Sequence, residues 1–85
     1  MGLINQVVPD DQLMNTADRY AERIAVNAPL AVSATQQSAV EGLALDLHSA
    51  YANETLHSDR IFATEDAKEG PRAFAEKRPP KWQGR

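Results

Sequence analysis

Apolar residues recur through the first third of the chain at the spacing of one helical face. Leu13, Met14, Ala17, Tyr20, Ala21, Ile24 and Ala25 step by three and four positions, with Asp18, Arg19, Glu22 and Arg23 opposite. The pattern predicts a helix over about 11–26, with Asp10 or Asp11 as its N-cap and Asn27, ahead of Ala28-Pro29, as its stop. Before it, Leu3, Ile4, Val7 and Val8 lie between Gly2 and Pro9 and read as a short strand or extended arm over residues 1–9. No second strand follows to pair with it, so either the arm is disordered or its sheet belongs to another segment or chain. That is a first sign that the sequence is a piece of something larger.

Pro29 suits the first turn of a second helix through Leu30, Ala31 and Ala34, whose end the pattern leaves open. Val40, Leu43, Ala44, Leu47 and Tyr51 repeat helically again and predict a third helix over about 39–57, with Gly42 as an interruption or a bend. Thr64 before Glu65-Asp66 predicts the N-cap of a fourth helix with an acidic first turn. Gly70-Pro71 should kink or restart that helix, because proline lacks the amide donor, and Pro79-Pro80 should end it. The expected fold is therefore all-α: three to four short helices and a short N-terminal extended segment in one small domain over 1–85. Residues 1–9 form the arm, 10–60 the first helices, and 61–85 a terminal helix with a basic tail.

Composition supports this reading. Gly (four) and Pro (five) are few among Ala, Leu, Val and Ile, while aromatic residues make up only 6% of the 85 residues. A domain of this size buries about 60–65% of its unfolded surface, so its independent stability is expected to be marginal. With no Cys there are no disulfides or thiolate metal sites, no secretory leader pattern opens the chain, and no apolar run approaches the roughly 20 residues of a membrane span. A soluble, cytoplasmic protein is the expectation. The net charge of −3 is uneven: residues 1–71 hold eleven acids and four bases, residues 72–85 five bases and one acid. A basic tail of that size suits a phosphate-bearing ligand but is small for a nucleic-acid footprint, so no nucleic-acid partner is expected.

Few residues form a chemical constellation. His57, Ser58 and Asp59 are adjacent on a predicted helix, point about 100° apart and cannot form a relay. They read as a solvated face. His48 and His57 have no metal-ligand spacing, and no catalytic or metal residues are assigned. Glu65, Asp66 and Glu69, like Asp10 and Asp11, read as helix-capping acids, because nothing nearby would shift a catalytic carboxylate. Residues 64–84, TEDAKEGPRAFAEKRPPKWQG, are less generic. Phe74 and Lys77 share a helical face, so the ring can stack on a flat base while the ammonium pairs with a phosphate; alternatively Phe74 is buried and Lys77 snorkels past it.

That segment resembles the C-terminal signature of the enoyl-CoA hydratase/isomerase, or crotonase, superfamily. The resemblance rests on Asp66, Glu69-Gly70, Ala73-Phe74, Glu76-Lys77-Arg78, Trp82 and Gly84, supported by GLINQVVPDDQL and AERIAVNAPLAV near the start. Residues 38–60 match only loosely. The resemblance implies the helical C-terminal third of a ββα-spiral enzyme that hydrates 2-enoyl-CoA thioesters in fatty-acid metabolism. It places the oxyanion hole and the catalytic acids in a spiral core outside these residues, so the chain is expected to be inactive alone. It assigns Phe74 and Lys77 to the coenzyme A site, often of a neighbouring subunit, with acyl-CoA as substrate and no tightly bound cofactor. It also implies self-association in a trimer or hexamer. Two other readings stand beside it: a free-standing helical interaction module without catalysis, and a segment of another isomerase or dehydratase of the superfamily.

Overall fold

Four helices in chain order make up the fold, and the computed structural model describes residues 2–85. They are α1 (Leu13–Ala25), α2 (Pro29–Gly42), α3 (Leu47–Phe62) and α4 (Glu65–Ala75), with a turn of 3-10 helix at Asp10–Gln12 ahead of α1. The fold class is all-α: among the described residues there is no strand, and residues 2–9 run as an irregular arm.

Local chemistry sets most of the boundaries. Asn27 closes α1 by donating its amide to the carbonyls of Arg23 (2.6 Å) and Ile24 (3.2 Å), and Pro29 stands in the first turn of α2. Thr64 caps α4, its hydroxyl accepting from the Ala67 amide at 3.2 Å. Asp10 and Asp11 do not cap α1; their segment tightens into the 3-10 turn instead, with the Gln12 amide donating to the Pro9 carbonyl.

Two expected boundaries are corrected. The third helix does not cover 39–57: α2 continues through Gly42, the chain turns over residues 43–46, and α3 runs on to Phe62. Asp46 decides the restart, because its carboxylate accepts from both the amide (3.1 Å) and the hydroxyl (2.6 Å) of Ser49, as an N-cap does. Nor does Gly70-Pro71 break α4, which is helical without interruption from Glu65 to Ala75. The missing Pro71 donor costs one hydrogen bond in a helix that is braced from outside on both sides of the proline.

Packing is thin. α2 and α3 lie against each other, α3 touches α4, and α1 has no comparable helical neighbour. Ala73 is the only buried apolar residue among those described, while Leu13, Met14 and Ile24 of α1 are all more than half exposed. The radius of gyration is 16.2 Å, against about 12 Å for a compact chain of this length. The accessible surface is 7257 Å², where a compact monomer of this mass exposes about 5,000 Å². The helices thus form a flat, open layer, 18 Å across its thinnest direction.

Candidate functional site

After α4 the chain reverses and runs back along the helix, and the acids of residues 64–84 hold it there. Asp66, only 3% exposed, accepts the backbone amides of Gln83 (2.7 Å) and Gly84 (2.9 Å). Glu69, one turn on, accepts both Nη atoms of Arg78 (2.6 and 3.1 Å) and the Lys81 amide (2.8 Å). The Arg85 carbonyl then accepts the Glu65 and Asp66 amides (2.8 and 3.2 Å), filling donors that the first turn of a helix leaves open. These acids do not serve as simple capping residues: Asp66 and Glu69 instead clasp the tail. Glu65 keeps a surface pairing with Lys68 at 2.7 Å.

Trp82 closes the clasp. Its indole edge lies over Gly70, 3.5 Å from where a β-carbon would stand, which is ordinary contact distance. The indole N–H donates to the Val26 carbonyl at 2.7 Å, tying the tail to the end of α1. The Glu69 carboxyl sits well below its ordinary value of 4.5, at about 2, because Arg78 and the Lys81 amide bond its charged form. The Arg78 guanidinium is raised in turn by Glu69 and Glu76.

Phe74 and Lys77 occupy the reversal itself. Phe74 is on the last turn of α4 with 87% of its surface exposed, so the buried-ring alternative does not describe this structure. Lys77 does not continue the helix: it adopts φ +52°, the left-handed region. Its amide donates to the Phe74 carbonyl (3.2 Å) and that of Arg78 to the Ala73 carbonyl (3.1 Å), the hydrogen-bond pair of a Schellman turn. Glycine usually fills this position, and a side chain there costs about 1–2 kcal/mol. Lys77 has no salt-bridge partner among the described residues. An exposed ring on the last turn of α4 and an unpaired ammonium on the turn that follows are thus three residues apart, no longer on one helical face.

The other polar cluster lies between α2 and α3. His57 is not on a solvated face: its side chain is 13% exposed and its Nε2 is 2.8 Å from Oε2 of Glu41, which also accepts from Asn53 at 2.9 Å. These bonds lower the Glu41 carboxyl, the one from His57 most. Ser58 and Asp59 make no hydrogen bond to His57, so the adjacent trio forms no relay. Beside it opens a groove of about 420 Å³, floored by Ala31, Ala34 and Ala39 and walled by Ile61 and Phe62.

The family model for enoyl-CoA hydratase/isomerase matches residues 1–85, the whole chain. The chain is 46% identical over its full length to enoyl-CoA hydratase EchA19 of Mycobacterium tuberculosis, covering 32% of that protein. It is 40% identical to the carnitinyl-CoA dehydratase of Proteus mirabilis, over 99% of the chain and 34% of that enzyme. The crystal structure of an enoyl-CoA hydratase/isomerase from Mycobacterium paratuberculosis superimposes with a TM-score of 0.91 at 45% identity, covering 99% of this chain and 33% of that one. The chain belongs to the enoyl-CoA hydratase/isomerase family of the crotonase superfamily. It spans about a third of the length of these relatives.

Proposed function

We propose that these 85 residues are the C-terminal, coenzyme A-facing and subunit-contacting part of an enoyl-CoA hydratase that adds water to 2-enoyl-CoA thioesters of fatty-acid metabolism. The observation that carries the reading is the division of labour within one motif. Asp66, Glu69, Arg78 and Trp82 spend their polar groups on the clasp, whereas Phe74 and Lys77 are left exposed on its turn. A ring of this kind stacks on a flat base, and an ammonium pairs with phosphate. The chemistry is assigned to residues outside this segment, so the segment alone is inactive.

The open layer supports the subunit-contact part of the reading. Its surface exceeds that of a compact monomer by about 2,000 Å², the scale of obligate interfaces. Self-association in a trimer or hexamer would cover the exposed face of α1 and the α2–α3 groove. The absence of Cys suits a cytoplasmic location, and no helix among the described residues is long and apolar enough to cross a membrane. The 40% identity to a carnitinyl-CoA dehydratase favours, as the second reading, a dehydratase acting on a hydroxyacyl-CoA. The hydratase reading stands first because identity to EchA19 is higher.

The test is steady-state kinetics with crotonyl-CoA on the full-length enzyme carrying this segment. Phe74→Ala and Lys77→Ala are each expected to raise KM about tenfold and leave kcat within twofold, a loss of about 1.4 kcal/mol of uniform binding. Unchanged KM in both variants would remove the pair from the coenzyme site. Turnover by the 85-residue chain on its own would overturn the assignment of catalysis to residues elsewhere.

A further inference from the structure

We propose that Glu69, Arg78 and Asp66 are positioning residues for the phosphate-bearing half of the coenzyme A thioester: the clasp they form fixes the left-handed turn from which Lys77 projects. The inference rests on the coenzyme reading of Phe74 and Lys77 and adds what determines their geometry.

The turn carrying Lys77 is anchored at both ends to one face of α4. On the helix side, Ala73 is 2% exposed and its carbonyl accepts the Arg78 amide. On the return side, the two-pronged Glu69–Arg78 bond and the Lys81 amide bond to Glu69 hold the residues just after Lys77. Asp66 then secures Gln83 and Gly84, two and three residues beyond Lys81. Lys77 alone in this stretch has a backbone conformation that its side chain disfavours. A lysine in place of the usual glycine keeps an ammonium at the turn at the expense of backbone comfort. The neighbouring Arg78–Glu69 bond is what prevents the turn from relaxing towards an ordinary helix end. An ammonium on a four-carbon stem is a flexible point charge. Fixing its α-carbon is therefore the main way this fold can restrict where the charge falls.

The experiment compares two substrates on the full-length enzyme carrying this segment: crotonyl-CoA, and crotonyl-pantetheine, which lacks the nucleotide and its phosphates. Glu69→Gln is expected to raise KM for crotonyl-CoA at least fivefold while leaving kcat for both substrates and KM for crotonyl-pantetheine unchanged. Arg78→Lys keeps the charge but loses the two-pronged bond and is expected to fall between wild type and Glu69→Gln; it carries the test if Glu69→Gln does not fold. Parallel rises in KM for both substrates, or no rise in either, would reduce the clasp to a structural role and overturn the proposal. Lys77→Ala separates the two levels. If it raises KM for crotonyl-CoA and the clasp variants do not, only the positioning role fails; if it has no effect, the coenzyme reading fails with it.

Discussion

The two halves of this chain are held together by opposite means. The α2–α3 hairpin lays two helices against each other, and the polar cluster between them, His57 with Glu41 and Asn53, lies beside a groove that nothing among the described residues fills. The α4–tail unit has almost no apolar interior, only Ala73, yet nearly every polar group along its inner face has a partner. Burial works through area, and the hairpin leaves Leu43, Leu47 and Phe62 more than two-thirds exposed, so it gains little from it. Directed hydrogen bonds work through geometry, and the clasp closes within α4 and its tail apart from the one Trp82 bond to Val26. The difference divides one small segment into a hairpin with an open apolar surface and a tail held by directed polar contacts.

The sharpest way to break the contrast is at Asp66. Asp66→Ala removes the acceptor for two tail amides, a loss of about 2–3 kcal/mol of local stability. It should speed hydrogen exchange at Gln83 and Gly84 by about 30- to 100-fold while amides in α3 change little. Comparable acceleration throughout α2 and α3 would mean that the halves are one cooperative unit. Ala34→Asp acts on the other half by placing a carboxylate on the groove floor. Sedimentation of the full-length enzyme should show subunit association weakened about tenfold, with the Trp82 emission spectrum unaltered. Undiminished association would leave the groove outside the subunit contact.

Acid should act most gently and on one half first. The Glu69 carboxyl is depressed in the folded state to about 2 from an ordinary 4.5, so its contribution is complete above pH 4.5 and is lost as pH falls towards 2. The stability difference between wild type and Glu69→Gln, followed by Trp82 fluorescence, should therefore be constant above pH 4.5 and disappear by about pH 2. A difference that persists at pH 2 would show that Glu69 acts by shape and not by charge.

How much of this was legible in the sequence follows from how far each signal reaches along the chain. Thr64, Asn27 and Pro29 act on backbone within four residues, and the boundaries they set are where the sequence places them. The α2–α3 turn is hidden in the sequence because Val40, Leu43, Ala44 and Leu47 continue a helical spacing across it, and the short-range Asp46–Ser49 cap overrules them. Asp66 and Glu69 stood in the right motif with the wrong role. Asp66 meets its partners 17 and 18 residues away, Glu69 meets Arg78 and Lys81 9 and 12 away, and only a chain reversal brings them together. The same reversal braces α4 through Pro71, where the local rule predicted a break. His57 likewise looked solvated because Glu41 is 16 positions away. The sequence singles out Phe74 and Lys77, but the left-handed backbone under Lys77 leaves no trace in it, since lysine gives no hint of a glycine-like position.

The indole hydrogen bond from Trp82 to Val26 also sets a schedule for the chain's birth. The two residues are 56 positions apart, and at a ribosomal rate of about 5–20 residues per second roughly 3–11 s pass between them. Throughout that interval the end of α1 has been made but lacks this bond. The bond fixes where the end of α1 sits without covering its apolar face, since Leu13, Met14 and Ile24 stay exposed with the tether in place.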